Sequence, residues 1–202
     1  MKLCHSPISP FVRAVKLSAR VTGFADEIEL IETNTMDEND QIRVINPLGK
    51  IPALIDGDII LYDSRVIIEY FDTKAGGGKL IPASNAERFE TLTRLALING
   101  MMDAAVLIVY EGRMRPKHKY VESFVHYQLE KIQRGLEVIS RSPQQYLNGA
   151  NPNADEISLA CTLDYLDFRQ QLNWRDHAAG LEEWLLEFAE TVPDYAETLP
   201  RA

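Results

Sequence analysis

The sequence has little cysteine, little positive charge and no long apolar run. Its two cysteines, Cys4 and Cys161, stand far apart in 202 residues. They form neither a CxxC pair nor a zinc-ligand spacing, so neither a disulfide framework nor a metal site organises the chain. Lys and Arg number 21 against 30 Asp and Glu, a formal net charge of −9. A surface of that sign repels phosphate backbones and anionic lipid, which argues against nucleic acid or a membrane as partner. No uninterrupted apolar stretch approaches the roughly 20 residues that cross a bilayer. Met1-Lys2 leads directly into a short apolar strand rather than into a secretory leader, and the cytoplasm is the expected location. What is present is ample core material, at 46% hydrophobic and 25% charged residues. That length and composition suit one domain or two small ones.

The most informative stretch runs from Asn46 to Ser64. Two short apolar runs, Ile51 to Ile55 and Ile59 to Tyr62, flank Asp56-Gly57-Asp58. Asp-Gly supplies the positive φ that a tight turn between strands requires, so this is a predicted hairpin. Pro52 stands at the start of the first strand, where a proline cannot donate to the ladder, and it is a candidate for a cis peptide bond. A cis bond there turns the Ile51 backbone outward, where a peptide-like ligand can pair with it as an added strand. Asp63-Ser64 then opens a helix, since Val66, Ile67, Tyr70 and Phe71 recur at helical spacing. A helix start suits a carboxylate ligand, because free N–H groups and the positive dipole end meet there.

Taken in order, Lys2 to His5 reads as a first strand and Ser6 to Pro10 as a breaker-rich turn. Phe11 to Val21 reads as a helix, with Ser9 as N-cap, Pro10 at its first position and Gly23 as its stop. Glu27 to Ile31 reads as a second strand, and Met36 to Ile45 as a polar helix ending at Asn46-Pro47. With the hairpin and the helix from Asp63 to about Lys74, the order is βαβαββα. That order predicts a four-stranded mixed sheet with helices against it. Ala75-Gly76-Gly77-Gly78-Lys79 breaks the pattern. Beyond it strand signals vanish. Helices are predicted over Ala86 to Arg113, Lys117 to Ser140, Asn153 to Arg169 and Leu181 to Glu190. The third opens with the capping pair Asn153 and Glu156, and the fourth carries the stripe Trp184, Leu185 and Phe188. The expected division is residues 1–76, a linker over 77–85, and an all-helical domain over 86–202.

Four motifs in this order resemble the cytosolic glutathione transferases over essentially the whole chain: S-P-x-S-P-F-V-R (Ser6 to Arg13), N-P-x-G-K-I-P-A-L (Asn46 to Leu54), Y-D-S-R (Tyr62 to Arg65) and N-A-D-E-I-S-L-A-C-T-L-D-Y-L (Asn153 to Leu166). The pattern is most similar to bacterial members with serine in the first turn. The resemblance implies a thioredoxin-like N-terminal domain and an all-α helical-bundle C-terminal domain. It implies glutathione as co-substrate, no metal, a small hydrophobic electrophile as second substrate, a homodimer and a role in detoxification. It makes Pro52 the cis-proline and Ile51 the residue that pairs with the cysteinyl backbone of glutathione. Asp63 and Ser64 become the holders of the γ-glutamyl end, and Lys50 a neighbour of the ligand backbone or terminal carboxylate. Two further readings share the fold: a non-enzymatic binding or regulatory module, and a glutathione-dependent isomerase, dehalogenase or peroxidase. The intact set of Lys50, Ile51, Pro52, Asp63 and Ser64 disfavours the first.

The chemistry follows from the groups. A free thiol has a pKa of about 8.5, so only a few per cent is thiolate at pH 7, and the thiolate is the nucleophile. A hydroxyl that donates to sulfur and a helix N-terminus aimed at it both stabilise the anion. Ser9 and Ser6 compete for that task. Ser9 is nearer the helix N–H groups and is preferred, although as N-cap its oxygen is also an acceptor. Neither first-turn position is cysteine, so a mixed disulfide with glutathione has no protein partner. Cys4 and Cys161 are read as small buried hydrophobes. Arg113, Arg115, Lys117, His118 and Lys119 are read first as a helix-end cluster, with contact to an anionic acceptor as the lesser reading. Met101 and Met102 are read as core. Tyr110, then Phe11, are the candidates for the acceptor pocket, and the histidines receive no role.

Overall fold

The computed structural model describes residues 1–141 and 151–201. Residues 142–150 and 202, which fall within the expected helical domain, lie outside the described residues. Strand β1 (Lys2–His5) runs parallel to β2 (Glu29–Glu32) and antiparallel to β3 (Ala53–Asp56), which pairs with β4 (Ile59–Leu61). The sheet order is β2-β1-β3-β4. Gly57 sits at φ +59 in the β3–β4 turn, a conformation that suits glycine. This is the predicted four-stranded mixed sheet of a thioredoxin-like domain, followed by a mostly helical region.

Helix α1 (Pro10–Thr22) is the element that ties the two parts together. Ser9 caps its start and Gly23, at φ +87, ends it; the Phe24 N–H reaches back to the Ala19 carbonyl at 2.8 Å. One face buries Val12, Val15 and Ala19 in the common core, with α3 (Ser64–Lys74) beside it. The other buries Arg13, whose guanidinium donates to Asp164 at 2.6 Å and to Thr198 at 3.1 Å and stacks over the Tyr195 ring. Asp164 lies on α6 (Ala154–Arg169), so a buried ion pair fixes α1 against the helical region.

Short polar side chains overrule one predicted helix. Only Ile42–Ile45 is helical (α2) in the stretch expected to be helical from Met36. Asn34 accepts from the Met36 N–H at 3.1 Å and Asp37 from the Asn39 N–H at 2.9 Å. Asp40 accepts from both the Asn34 and Ile42 N–H groups, at 2.7 and 2.8 Å. These side chains offer the backbone local turns in place of helix bonds. Similarly, Ala25–Glu27 and Lys117–Lys119 are 3₁₀ turns, so β2 begins at Glu29 and α5 spans Glu122–Ser140.

The helical region is built on α4 (Asn85–Met114), which packs against α5 and α6. Over 18 residues its mean hydropathy reaches 1.6, enough by length and composition alone to cross a membrane. The expectation of no such segment is corrected to that extent: here part of the apolar surface of α4 is covered by its neighbours. Helix α6 opens with the predicted capping box, the Asn153 N–H donating to Glu156 at 2.6 Å. Two short elements escaped the sequence reading, α7 (Arg175–Ala178) and the 3₁₀ turn Tyr195–Thr198, before and after α8 (Leu181–Thr191).

Candidate functional site

A cleft of about 840 Å³ opens between the C-terminal edge of the sheet and helices α4 and α6. Its first wall comes from three breaks in regular structure. The turn before α1 brings Ser6, Ser9 and Phe11 to the cleft. Ser9 lies in extended conformation and its hydroxyl oxygen accepts from the Val12 N–H at 3.3 Å, which leaves the hydroxyl proton free to donate. The Ser6 carbonyl accepts from the Ser9 N–H at 3.2 Å, and the Ser6 side chain makes no hydrogen bond among the described residues.

The second break is the loop from Asn46. Buried Asn46 ties it together: its amide donates to the Lys50 carbonyl at 2.9 Å and its oxygen accepts from the Leu48 N–H at 3.0 Å. The Ile51–Pro52 bond is cis, as expected. The β1–β3 ladder ends at Cys4 opposite Ala53, so Ile51 stands just beyond the sheet and lines the cleft with Lys50. The third break, at Tyr62, opens α3. Asp63 is its N-cap and accepts from the Arg65 N–H at 3.0 Å and from the Arg65 guanidinium at 2.7 Å. That guanidinium holds the Asp63 carboxyl below its ordinary pKa. Ser64 is buried on the cleft wall with no hydrogen bond to its hydroxyl among the described residues.

The opposite wall is one stripe of α4. Asn99, Asp103, Val106, Tyr110 and Arg113 recur at helical spacing and all line the cleft. Lost hydration raises the Asp103 pKa above the ordinary carboxylate value, against the pull of Lys50 and Arg65 and with the help of Asp63. Near the far end, Tyr165 and Arg169 complete the wall from α6. The cleft thus brings together all nine residues singled out from the sequence: Ser6, Ser9, Phe11, Lys50, Ile51, Pro52, Asp63, Ser64 and Tyr110. The sequence reading missed Arg65, Asn99, Asp103, Tyr165 and Arg169. Asp103 did carry a signal: it is the only acid in the otherwise apolar run from Met101 to Val109.

Other residues fall away from the chemistry. Met101 and Met102 are core. Burial raises the Cys4 thiol pKa and pushes that of Cys161 to about 12, so neither is a ready nucleophile. Arg115 is bonded to Glu111 at 2.7 Å, whereas Arg113 of the same basic cluster faces the cleft. Among the described residues no group of three or more His, Cys, Asp or Glu side chains is arranged to hold a metal ion.

The comparisons agree with this architecture. The family model for the glutathione S-transferase N-terminal domain matches residues 3–79. An uncharacterised GST-like protein of Escherichia coli K12, YibF, is 32% identical over 97% of this chain and 100% of its own length. A glutathione transferase family member of Pseudomonas fluorescens Pf-5, solved with glutathione bound, is 36% identical with a TM-score of 0.91, covering 100% of this chain and 99% of that one. The same protein has also been solved with S-(propanoic acid)-glutathione, at 36% identity, a TM-score of 0.88 and full coverage of both chains. A full-length relative at that identity, a matching domain model and a shared fold leave one family: this chain belongs to the glutathione S-transferases.

Proposed function

We propose that this protein binds glutathione along the first wall of the cleft and activates its thiol for attack on a small electrophile held against α4. One observation carries the reading: a single cleft joins the start of α1, the loop at Pro52 and the start of α3 to the stretch of α4 that carries Val106, Leu107 and Tyr110. In this reading the γ-glutamyl end lies at the start of α3. Its carboxylate meets the unbonded Ser64 hydroxyl, and its ammonium meets Asp63 and Asp103. The cysteinyl backbone pairs with Ile51 as an added strand, and Lys50 meets the glycyl carboxylate. The sulfur then falls near Ser9, whose spare proton and position at the head of a 13-residue helix favour the thiolate. Phe11 and Tyr110 border the space left for the electrophile. Holding both reactants in one cleft supplies the proximity part of the acceleration. The Pseudomonas relative, bound both to glutathione and to a thioether of it, supports a site that accommodates thiol and conjugate.

Calorimetric titration with glutathione and a conjugation assay test this on the wild type, Ser9→Ala and Ser6→Ala. The expected result is binding in all three, with conjugation falling roughly 10- to 100-fold in Ser9→Ala, the scale of one hydrogen bond to a charged group. Loss confined to Ser6→Ala moves the role to Ser6. No heat from glutathione in the wild type refutes the reading and leaves a binding module of the same fold.

A further inference from the structure

The two ends of the cleft differ in charge, and among the described residues the positive end has no carboxylate partner. Asp103 and Arg113 are ten residues apart on α4, which places them about 15 Å apart along the axis. The Asp103 end faces Lys50, Asp63 and Arg65 and suits the zwitterionic γ-glutamyl group. The Arg113 end is different. Arg169, the last residue of α6, lines the cleft with Arg113, and both charges act on Tyr165. Its guanidinium stacks 4.8 Å from the Phe168 ring and 5.3 Å from the Tyr165 ring, and its Nε is sealed from water without a hydrogen bond. Among the described residues neither Arg113 nor Arg169 has a carboxylate within ion-pair reach. Yet acids outnumber bases in this chain, and nine other arginines have carboxylate or carbonyl partners, from Arg13–Asp164 to Arg175–Asp167. The Arg169 guanidinium lies against the Tyr165 hydroxyl and bonds to it, and the Arg113 charge and the Tyr110 hydroxyl also act on that hydroxyl.

We infer that the electrophile carries a carboxylate remote from its reacting carbon, and that Arg113 and Arg169 receive it while its apolar body lies against Val106 and Tyr110. This rests on the glutathione reading above and specifies the second substrate. Guanidinium forks match a carboxylate with two parallel donors. They also give an acidic protein a local positive field at the mouth of its site, without which an anionic substrate would be repelled. Placement at the ends of α4 and α6 accounts for a basic residue at each helix terminus. It does not account for both facing one cleft instead of the acidic surface.

The test uses a chlorodinitrobenzoate, with chlorine para to the carboxylate, and its uncharged carboxamide. In either reaction the glutathione thiolate forms a bond to the ring carbon, chloride leaves with the C–Cl pair, and the thiol proton passes to solvent. The readout is the ratio of kcat/KM for carboxylate over amide, in the wild type and in Arg113→Gln, Arg169→Gln and the corresponding Lys variants. The wild type is expected to favour the carboxylate. Each Gln variant lowers the ratio about tenfold, the scale of one charge-assisted hydrogen bond, and each Lys variant retains part of it. A variant that merely loosens the cleft lowers both rates and leaves the ratio in place, which overturns the inference. So does a wild type that prefers the amide. Calorimetry with the two finished glutathione conjugates separates the levels of failure. Glutathione binding with equal affinity for both conjugates refutes the carboxylate site alone, and no binding of glutathione or either conjugate refutes the underlying reading as well.

Discussion

The two walls of the cleft are made in different ways. The sheet-side wall is backbone and caps: the Ser9 turn, the Asn46 loop with its cis bond, and the Asp63 helix start. Each is a break in regular structure that short polar residues, proline and glycine enforce locally. The helix-side wall is side chains alone, from one stripe of α4 and the end of α6. Its shape is set by which way two long helices turn, a matter of packing with α5 and the rest of the core. The first wall is therefore suited to a constant ligand, and the second can change its chemistry by substitution without refolding.

That comparison breaks most severely where the walls are joined. Buried Asp72, near the end of α3, accepts from the N–H groups of Gly78, Lys79 and Leu80 at 3.1, 2.8 and 2.7 Å. The Leu80 carbonyl in turn accepts from Ala154 N–H at the start of α6. Asp72→Ala strands three donors, and a loss of about 3 kcal/mol is expected by denaturant titration. Loss of glutathione affinity should accompany it only insofar as the fold is lost.

Next in size is a test of the packing that aims the α4 stripe. A methyl group added at Gly135 of α5 would meet the sulfur of buried Met101 on α4. Gly135→Ala should therefore destabilise by about 1–2 kcal/mol, although alanine is the better helix former by about 1 kcal/mol. Stabilisation in a thermal melt would show that α4 and α5 have room to shift, and that the second wall is not held as described.

The contrast also explains what was legible beforehand. Ser9, Pro52, Gly57, Asp63 and the Asn153–Glu156 box act on their own neighbours, so their roles follow from residue type and spacing. The helix expected from Met36 failed for a related reason: Asn34, Asp37 and Asp40 each close a turn of their own, and α-helical periodicity does not register that competition. Arg169 and Tyr165 could not be read, because only the tertiary crossing of α4 and α6 brings them to the cleft. Arg113 was visible as one of five basic residues, but nothing local separates it from Arg115, which pairs with Glu111 on its own helix.

Smaller effects sharpen the local side of the comparison. Asn153→Ala removes half of the capping box and should lower stability by about 1 kcal/mol, measured as a shift in the denaturant midpoint without a change in slope. The smallest effect is acid-dependent. In the β3–β4 turn, Asp56 accepts from the Tyr70 hydroxyl at 2.6 Å and Lys74 at 2.9 Å, and these bonds depress its pKa. A depressed carboxyl stabilises the fold fully above the unfolded pKa of about 3.9, and that contribution is lost as pH falls through the lower folded value. Being near the surface it is worth less than about 1 kcal/mol. Asp56→Asn should thus flatten the acid limb of the stability profile slightly and leave the neutral region nearly unchanged.

The central claim is that this cleft holds glutathione with its sulfur at the head of α1. The most direct measurement is the ultraviolet titration of the thiolate band of bound glutathione as pH is raised. The account predicts a bound thiol pKa at least one unit below the free value of about 8.5, a preference for the anion of about 1.4 kcal/mol or more, with part of the shift lost in Ser9→Ala. Bound glutathione that titrates like the free thiol would contradict it.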